Sequence, residues 1–188
     1  FMTGEVLQTH FEKIADAVNI PLLMYNAPQF SGGVKIPPKT LAALARHPNI
    51  VGIKDSSSEG PAKYLNLIDP DSDFHILSGS SSTFYPSLHL GARGGIISLA
   101  NVFPDAVSEL YNAWKDRRYE DALQLHVRLG RLTAAVSGAY GVAGVKAAMK
   151  IVGLHGDEPR LPLQPAPAEE INKIRTTMIQ EGFLDKNV

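Results

Sequence analysis

Hydrophobic residues follow two patterns along this chain, helical spacing and short continuous runs. Near the amino terminus Phe11, Ile14 and Val18 recur every three or four residues, which predicts an amphipathic helix. The run at residues 20–25 is apolar almost throughout and predicts a strand. The chain therefore begins with a predicted helix followed by a predicted strand.

Three further apolar runs predict three further strands, each preceded by a predicted helix. The strands lie at residues 50–54, 74–78 and 94–99, and the helices before them lie at residues 41–45 and 62–68 and in the segment that opens at 78–83. Because continuously apolar strands alternate with helices, we expect a parallel sheet covered by helices, which is an α/β fold.

Beyond Pro104 the pattern predicts helices alone. They lie at residues 105–115, 119–136, 142–152 and 168–180. A complete (β/α)8 TIM barrel needs about 250 residues, and four βα units are half of its repeats. We therefore expect half of such a barrel at residues 1–117 and a helical carboxy-terminal region at residues 118–188.

Composition and charge exclude several classes of partner. The chain has 188 residues, with 18 basic and 19 acidic side chains, so its net charge of −1 offers no basic surface for nucleic acid or an anionic membrane. We expect a small-molecule ligand instead. Cysteine is absent, which excludes disulfides, thiolate zinc sites and cysteine nucleophiles. This composition fits a cytoplasmic protein, and a mitochondrial location is compatible with it.

In parallel α/β proteins the active site lies at the carboxyl ends of the strands, where this chain carries a lysine. Lys54 ends the second predicted strand on the same face as Gly52, which leaves room beside a long side chain. Partial desolvation there favours the free amine, which is the form that attacks a ketone carbonyl. The alternative is a strand-end lysine that merely extends into solvent.

Tyr25 ends the neighbouring strand at a matched position. Its hydroxyl could relay protons beside Lys54, or it could be a core tyrosine hydrogen-bonded at the rim. The hydroxyl-rich run at residues 78–83 is compatible both with anion binding and with helix capping. Six histidines show no spacing typical of metal ligands, so we expect no metal site.

Two motifs resemble those of the dihydrodipicolinate synthase / N-acetylneuraminate lyase family. Tyr25, Asn26, Pro28 and Gly32 follow its YNxPxxxG pattern, and the GIKDSS stretch around Lys54 resembles its Schiff-base lysine motif. The resemblance covers essentially the whole chain, because later family markers are matched at residues 77–80, 91–102 and 160–163.

The resemblance implies the carboxy-terminal half of a (β/α)8 barrel, a homotetramer, and a lyase that forms or consumes pyruvate and an aldehyde. It implies that Lys54 is the Schiff-base nucleophile and Tyr25 the proton relay. No metal or organic cofactor is implied, because the protonated imine is itself the electron sink. The substrate-binding positions that it implies are Ser78, Gly79, Ser80 and Ile96.

The chain departs from the synthase pattern at Phe30. Dihydrodipicolinate synthases of this family carry an arginine at that position, which binds the carboxylate of their aldehyde substrate. Residues 47–56 most resemble the 4-hydroxy-2-oxoglutarate aldolase branch. We therefore expect a class I aldolase that cleaves a 4-hydroxy-2-oxo acid or a related sugar acid, with dihydrodipicolinate synthase as the alternative.

Two hypotheses of other kinds remain open. The family's hydroxyl pair for the pyruvyl carboxylate belongs to the first half of the barrel, and nothing in this chain corresponds to it. A non-catalytic half-barrel that serves as a binding or assembly module is therefore one alternative, since four strands leave a sheet edge unpaired. A phosphate-binding enzyme built on residues 79–83 is the other.

Overall fold

The structure of this chain, a computed structural model, describes residues 2–64, 67–69 and 71–186. The chain forms two compact units, Phe1–Ile96 and Ile97–Val188. Within the described residues, the first unit contains all of the strands and three α-helices, and the second contains four α-helices. The division predicted from the sequence at residues 117 and 118 stays a prediction.

One parallel sheet forms the centre of the first unit. Across the described residues its strands are β1 (Leu22–Asn26), β2 (Ile50–Asp55), β3 (His75–Ser78) and β4 (Gly94–Gly95), in the order β1-β2-β3-β4. The helices that alternate with them are α1 (Gly4–Asp16), α2 (Pro38–Leu44) and α3 (Ser81–His89). Each strand pairs in parallel with the next along the chain, which confirms the predicted α/β fold.

Short polar side chains and a proline begin these helices. The hydroxyl of Thr3 accepts a hydrogen bond from the Val6 amide at the start of α1, at 3.3 Å. Ser80 does the same for Ser82 at the start of α3, also at 3.3 Å. Pro38 occupies the first turn of α2, where a backbone N–H would have no acceptor within the helix, so the lack of an N–H on proline costs no hydrogen bond. Local sequence therefore accounts for all three starts.

The two faces of the sheet differ in burial. Met24, Ile53 and Ile76 lie on the helix-covered face and are at most 5% exposed, in one core with the apolar side chains of α2. Leu23 and Tyr25 lie on the opposite face, which we call the open face, and are 40% and 46% exposed. Because strand side chains alternate in direction, the helix-covered face holds the core and the open face carries the candidate chemistry.

The predicted fourth strand is shorter in the structure. We expected a strand at residues 94–99, whereas β4 contains only Gly94 and Gly95. One further ladder-like hydrogen bond joins the Ile96 amide to the Ser78 carbonyl at 2.8 Å. The chain then turns into a 3-10 helix at Ser98–Asn101, where the Asn101 side-chain amide donates to the Ser98 carbonyl at 2.9 Å. That local bond satisfies a carbonyl that a longer strand would offer to a neighbour.

The helix predicted at residues 62–68 is wrong in type. The structure has a 3-10 helix at Pro61–Tyr64, followed by a hydrogen bond of 2.9 Å from the Leu67 amide to the Tyr64 carbonyl, which also spans three residues. Residues 65 and 66 lie outside the described residues. Side-chain bonds of Lys63 and Tyr64 to a buried polar cluster at the ends of β1 and β2 hold this tighter turn.

The second unit is built from amphipathic helices. They are α4 (Pro104–Lys115), α5 (Tyr119–Thr133), α6 (Gly141–Ile151) and α7 (Ala168–Gln180), with a π-helix at Ala134–Gly138 after α5. The helix predicted at 119–136 is therefore interrupted by a wider turn near its end. Contacts join α4 to α5 and join α7 to both α5 and α6. The Arg128 guanidinium donates to the Glu181 carbonyl at 3.0 Å and lies 4.6 Å from the Phe183 ring, which ties α5 to the segment after α7.

His126 makes the stability of the second unit depend on pH. Burial lowers the pKa of this half-buried side chain in α5 below its usual value of 6.5. The unfolded chain therefore binds more protons than the folded chain just below pH 6.5, so acidification through that window destabilises the fold. Above it, the contribution of the neutral imidazole is fully present.

We expect the free energy of unfolding in urea to fall more steeply for the wild type than for His126→Gln between about pH 7.5 and about pH 5.5. Glutamine stays neutral throughout, and the other histidines are common to both proteins. Parallel pH profiles for the two proteins would contradict a lowered pKa at His126.

Candidate active site

Tyr25 and Lys54 are direct partners across β1 and β2. The Lys54 Nζ lies 4.5 Å from the centroid of the Tyr25 ring, a distance at which an ammonium is attracted to an aromatic face. Tyr25 is 46% exposed on the open face, and Lys54 is half-buried beside it. The structure thus brings the two predicted catalytic side chains together at the carboxyl end of the sheet.

The next row on the open face of the sheet contains two of the predicted substrate-binding positions. Ladder hydrogen bonds continue one residue past the strand pairs, from the Gly79 amide to the Asp55 carbonyl at 2.7 Å and from the Ile96 amide to the Ser78 carbonyl at 2.8 Å. Ile96 is 44% exposed. Gly79 and Ile96 therefore lie two residues beyond the row of Lys54, in the next row on the open face toward the carboxyl end.

Gly79 can contribute only its backbone at this site. A Cβ atom there would lie 1.9 Å from the Ser56 Oγ and 2.9 Å from the Asp55 carbonyl oxygen, and real Cβ atoms do not approach other atoms that closely. The ends of β2 and β3 therefore come together because residue 79 has no side chain.

Ser78 and Ser80 have local roles in the structure. The Ser78 side chain is fully buried, since its strand partner is Asp55 on the helix-covered face, and its hydroxyl bonds to the Ser80 carbonyl at 3.0 Å and to the Thr83 hydroxyl at 2.9 Å. Ser80 caps α3. Ser80 also lines a pocket at this end of the sheet, and Ser78 is not among the lining residues of that pocket.

This pocket has a volume of about 320 Å³ and a hydroxyl-rich lining. Its polar lining residues are Gln29, Lys35, Ser56, Ser57, Ser58, Ser80, Ser82 and Thr83. Lys35 forms an ion pair with Glu59 in which its ammonium donates a hydrogen bond to the carboxylate. This hydrogen bond, together with the nearby charge of Lys63, holds the pKa of Glu59 below its usual value. Phe30, just beyond the lining residue Gln29, is 78% exposed.

A buried polar cluster lies behind the reactive pair, on the helix-covered face. The Asn26 side-chain amide donates to the Asp55 carboxylate at 2.7 Å and to the Tyr64 hydroxyl at 3.0 Å. The Ser57 amide and hydroxyl donate to the same carboxylate at 3.1 and 3.0 Å, and the Lys63 Nζ is 3.7 Å from it. The sequence analysis gave these residues no role. A usable signal was present, because a polar residue directly follows each reactive one: Asn26 follows Tyr25 and Asp55 follows Lys54.

Tyr64 remains a neutral member of this cluster. Burial raises its pKa above the usual value, and the negative charges of Asp55 and Glu59 raise it further, while the hydrogen bond from Asn26 lowers it. Its side chain is fully enclosed. The Tyr64 hydroxyl therefore acts as a hydrogen-bonding group of fixed protonation over the physiological range.

The arrangement matches a known family. A family model described as the dihydrodipicolinate synthetase family matches residues 2–181. The chain belongs to this family. Curated relatives include the 4-hydroxy-tetrahydrodipicolinate synthases of Methanosarcina mazei, 35% identical over 181 residues, and of Thermodesulfovibrio yellowstonii, 40% identical over 184 residues. These matches cover 95% and 97% of this chain and 62% of each relative.

Solved structures of the dihydrodipicolinate synthetase family agree with the fold. The dihydrodipicolinate synthase of Thermotoga maritima superposes with a TM-score of 0.89 at 29% identity, over 97% of this chain and 63% of that one. The chain thus spans about three fifths of the length of the relatives that it matches. The predicted part of a (β/α)8 barrel is confirmed.

The names of the relatives bear on the predicted activity. They are synthases, so they support the synthase alternative better than the aldolase interpretation. Among the described residues, no three His, Asp or Glu side chains form a group suited to a metal ion. No helix in the described part of the chain is long and apolar enough to span a bilayer.

Proposed function

We propose that this chain carries the Schiff-base machinery of a pyruvate-dependent lyase, with Lys54 as nucleophile and Tyr25 as proton relay. The observation that carries the proposal is the pairing of these two side chains across β1 and β2, with the amine 4.5 Å from the ring centroid. Membership of the dihydrodipicolinate synthetase family supports it. The substrate is a 2-oxo acid such as pyruvate.

The proposed reaction begins when the Lys54 Nζ attacks the carbonyl carbon of the 2-oxo acid. A C–N bond forms, the carbonyl oxygen takes up protons and leaves as water, and an imine remains. Tyr25 supplies and removes protons at the departing oxygen. The protonated imine then draws electrons from the adjacent carbon, which loses a proton and becomes a nucleophile toward an aldehyde. The reverse sequence breaks the same carbon–carbon bond.

Gly79, Ile96 and the two serines enter this proposal in different ways. Ile96 and the backbone of Gly79 flank the bound 2-oxo acid, because they lie two residues beyond the row of Lys54 and so share its face of the sheet. Ser80 contacts the aldehyde half from the pocket wall. Ser78 acts through its backbone and through its bonds to Ser80 and Thr83 at the start of α3. A homotetramer remains the expected assembly.

Synthase chemistry is the first candidate for the aldehyde half. The support comes from the curated relatives. Three of them, at 34–35% identity, are 4-hydroxy-tetrahydrodipicolinate synthases. The chain spans 62% or less of their length, so turnover is proposed for a protein that contains this chain, while imine formation is proposed for the chain itself.

Cleavage of a hydroxylated 2-oxo acid is the second candidate. Phe30 favours it, because an apolar ring cannot bind the carboxylate of an acidic aldehyde. The hydroxyl-rich pocket also favours it, since serine and threonine hydroxyls both donate to and accept from the hydroxyl groups of a sugar acid.

Substitution of Phe30 tests whether position 30 selects the aldehyde. In a full-length protein that contains this chain, we expect Phe30→Arg to raise kcat/KM for a carboxylate-bearing aldehyde relative to a neutral one by about 10-fold or more, because a charge-assisted hydrogen bond contributes about 1.5–3 kcal/mol. Phe30→Gln is the control of similar length without charge. An unchanged preference in Phe30→Arg would contradict a role for position 30 in aldehyde selection.

The proposal as a whole is tested on the full chain with pyruvate and borohydride. Reduction of the imine should leave on Lys54 the mass of pyruvic acid less one oxygen atom, located by peptide mass spectrometry. A folded chain in which Lys54 stays unmodified at saturating pyruvate would overturn it.

A further inference from the structure

We propose that Asn26 and Asp55, which we call the clamp, are positioning residues that hold Tyr25 and Lys54 at their working separation. This inference rests on the proposed function of Lys54 and adds residues that its chemistry does not itself require. The clamp lies on the helix-covered face, opposite the reactive pair, so neither member contacts the substrate.

The clamp is placed to set the geometry of the reactive pair. Asn26 directly follows Tyr25 and Asp55 directly follows Lys54, and Asn26 and Asp55 are themselves partners across β1 and β2. Their side chains are joined by a hydrogen bond of 2.7 Å. Because neighbouring strand residues point to opposite faces, this bond fixes the two strand ends from behind while the reactive side chains project forward.

The Asn26 amide has one available orientation. Its oxygen accepts from the Ile36 amide at 3.1 Å, so its nitrogen must face Asp55 and the Tyr64 hydroxyl. Asn26 is 1% exposed, and water cannot substitute for these partners without a rearrangement. The amide therefore holds the end of β1 to both β2 and the 3-10 helix at Pro61–Tyr64.

The Asp55 carboxylate is equally restrained. It is fully buried, accepts from the amide and hydroxyl of Ser57, and faces Lys63, whose ammonium donates to the Ser57 hydroxyl at 2.7 Å. A buried ion pair is weak grounds for stability, since apolar side chains of similar volume often do as well. The position of the Asp55 carboxylate beside the reactive pair accounts better for its presence. A fully satisfied polar network specifies one geometry, and here that geometry is the one of the strand ends.

Asn26→Asp tests the clamp by setting two carboxylates against each other. Asn49→Asp is the matched control: it makes the same change at the opposite end of β2, where the side-chain amide donates to the Ala15 and Val18 carbonyls at 2.8 and 2.9 Å. Asn26→Asp loses buried hydrogen bonds and Asn49→Asp loses partly buried ones, all of them within the first unit. Only Asn26→Asp disturbs the strand ends that carry Tyr25 and Lys54.

We expect Asn26→Asp to lower the maximal rate of borohydride trapping of pyruvate on Lys54 by about 10²-fold, the loss expected from displacing a reacting group by about 1 Å. The pyruvate concentration for half-maximal trapping should change little. Asn49→Asp should lower stability in urea but leave the trapping rate of the folded chain unchanged. Asp55→Asn removes the charge and replaces the oxygen that accepts from the Ser57 hydroxyl by an NH2 group, but it keeps an oxygen toward the Asn26 amide and the Ser57 backbone N–H, so it should retain most of the rate.

The double swap Asn26→Asp/Asp55→Asn restores an amide-to-carboxylate bond in reverse and should recover part of the rate. Equal slowing in Asn49→Asp, no recovery in the swap, or a wild-type rate in folded Asn26→Asp would each overturn the clamp. Should Asn26→Asp not fold, Asn26→Ser deletes the bond to Asp55 without an added charge. We expect Asn26→Ser to slow the trapping of pyruvate on Lys54 in the same way.

A second measurement separates failure of the clamp from failure of the proposed function. Acylation of Lys54 by a small amine-reactive ester, followed by peptide mass spectrometry across a range of pH, needs no imine chemistry. If pyruvate is not trapped in the wild type, the proposed function fails. The clamp still predicts a changed acylation profile at Lys54 in Asn26→Asp and an unchanged one in Asn49→Asp, and the reverse pattern would overturn it.

Discussion

Lys54→Arg is expected to abolish the covalent trapping of pyruvate while leaving the chain folded. A guanidinium is not deprotonated in proteins, so it cannot provide the lone pair that attacks a carbonyl carbon, although it keeps the charge and can lie over the Tyr25 ring as the amine does. The measurement is the intact mass after incubation with pyruvate and borohydride. Circular dichroism should be unchanged.

Lys39→Arg is the control for this substitution. Lys39 is an exposed residue of α2, so the same chemical change there should leave trapping at Lys54 at the wild-type level. A pyruvate adduct in Lys54→Arg at the extent seen in the wild type would show that another amine reacts, and the assignment of the nucleophile would be wrong.

Gly52→Ala is expected to have the largest effect on stability. A Cβ atom at residue 52 would lie 2.3 Å from the His75 carbonyl oxygen and 2.9 Å from the Leu23 side chain. The first of these atoms is backbone, so β2 and β3 would have to separate in the middle of the sheet. We expect a loss of about 3 kcal/mol or more in the free energy of unfolding, which is a large part of the usual 5–15 kcal/mol.

Gly130→Ala makes the same change where the structure has room. Gly130 lies in α5, and a Cβ atom there would meet nothing within 4 Å. Alanine should stabilise this helix by about 0.5–1 kcal/mol, because glycine has the greater backbone freedom to lose. Urea unfolding of the two variants should therefore shift in opposite directions. A loss of less than about 1 kcal/mol in Gly52→Ala would contradict the close approach of β2 and β3.

The contact at Gly52 also changes the interpretation of this residue. From the sequence, its small size left room beside Lys54. In the structure the first atom that a side chain would meet is the His75 carbonyl oxygen on the neighbouring strand. The spacing of strands is a property of their pairing, and residue 52 alone does not reveal which backbone approaches it.

Periodicity predicted the elements that depend on local sequence. Continuous apolar runs identified β1, β2 and β3, and helical spacing identified α4 and α7 nearly to the residue. The 3-10 helix at Pro61–Tyr64 and the two-residue β4 were not predicted. The form of the 3-10 helix depends on hydrogen bonds to a polar cluster that is distant in sequence. The length of β4 depends on its neighbour β3, whose last two residues, Leu77 and Ser78, are its partners.

The hydrophobic pattern alone was enough to predict the alternation of strand and helix, and with it a parallel sheet with Tyr25 and Lys54 at matched strand ends. Both follow from side-chain periodicity and from the geometry of parallel strands. Only the tertiary structure joined Asn26 to Asp55 and Tyr64, because such bonds link residues 29 and 38 positions apart that no local pattern relates. It also assigned Ser78 to the helix-covered face, since register and not residue type decides which way a strand side chain points.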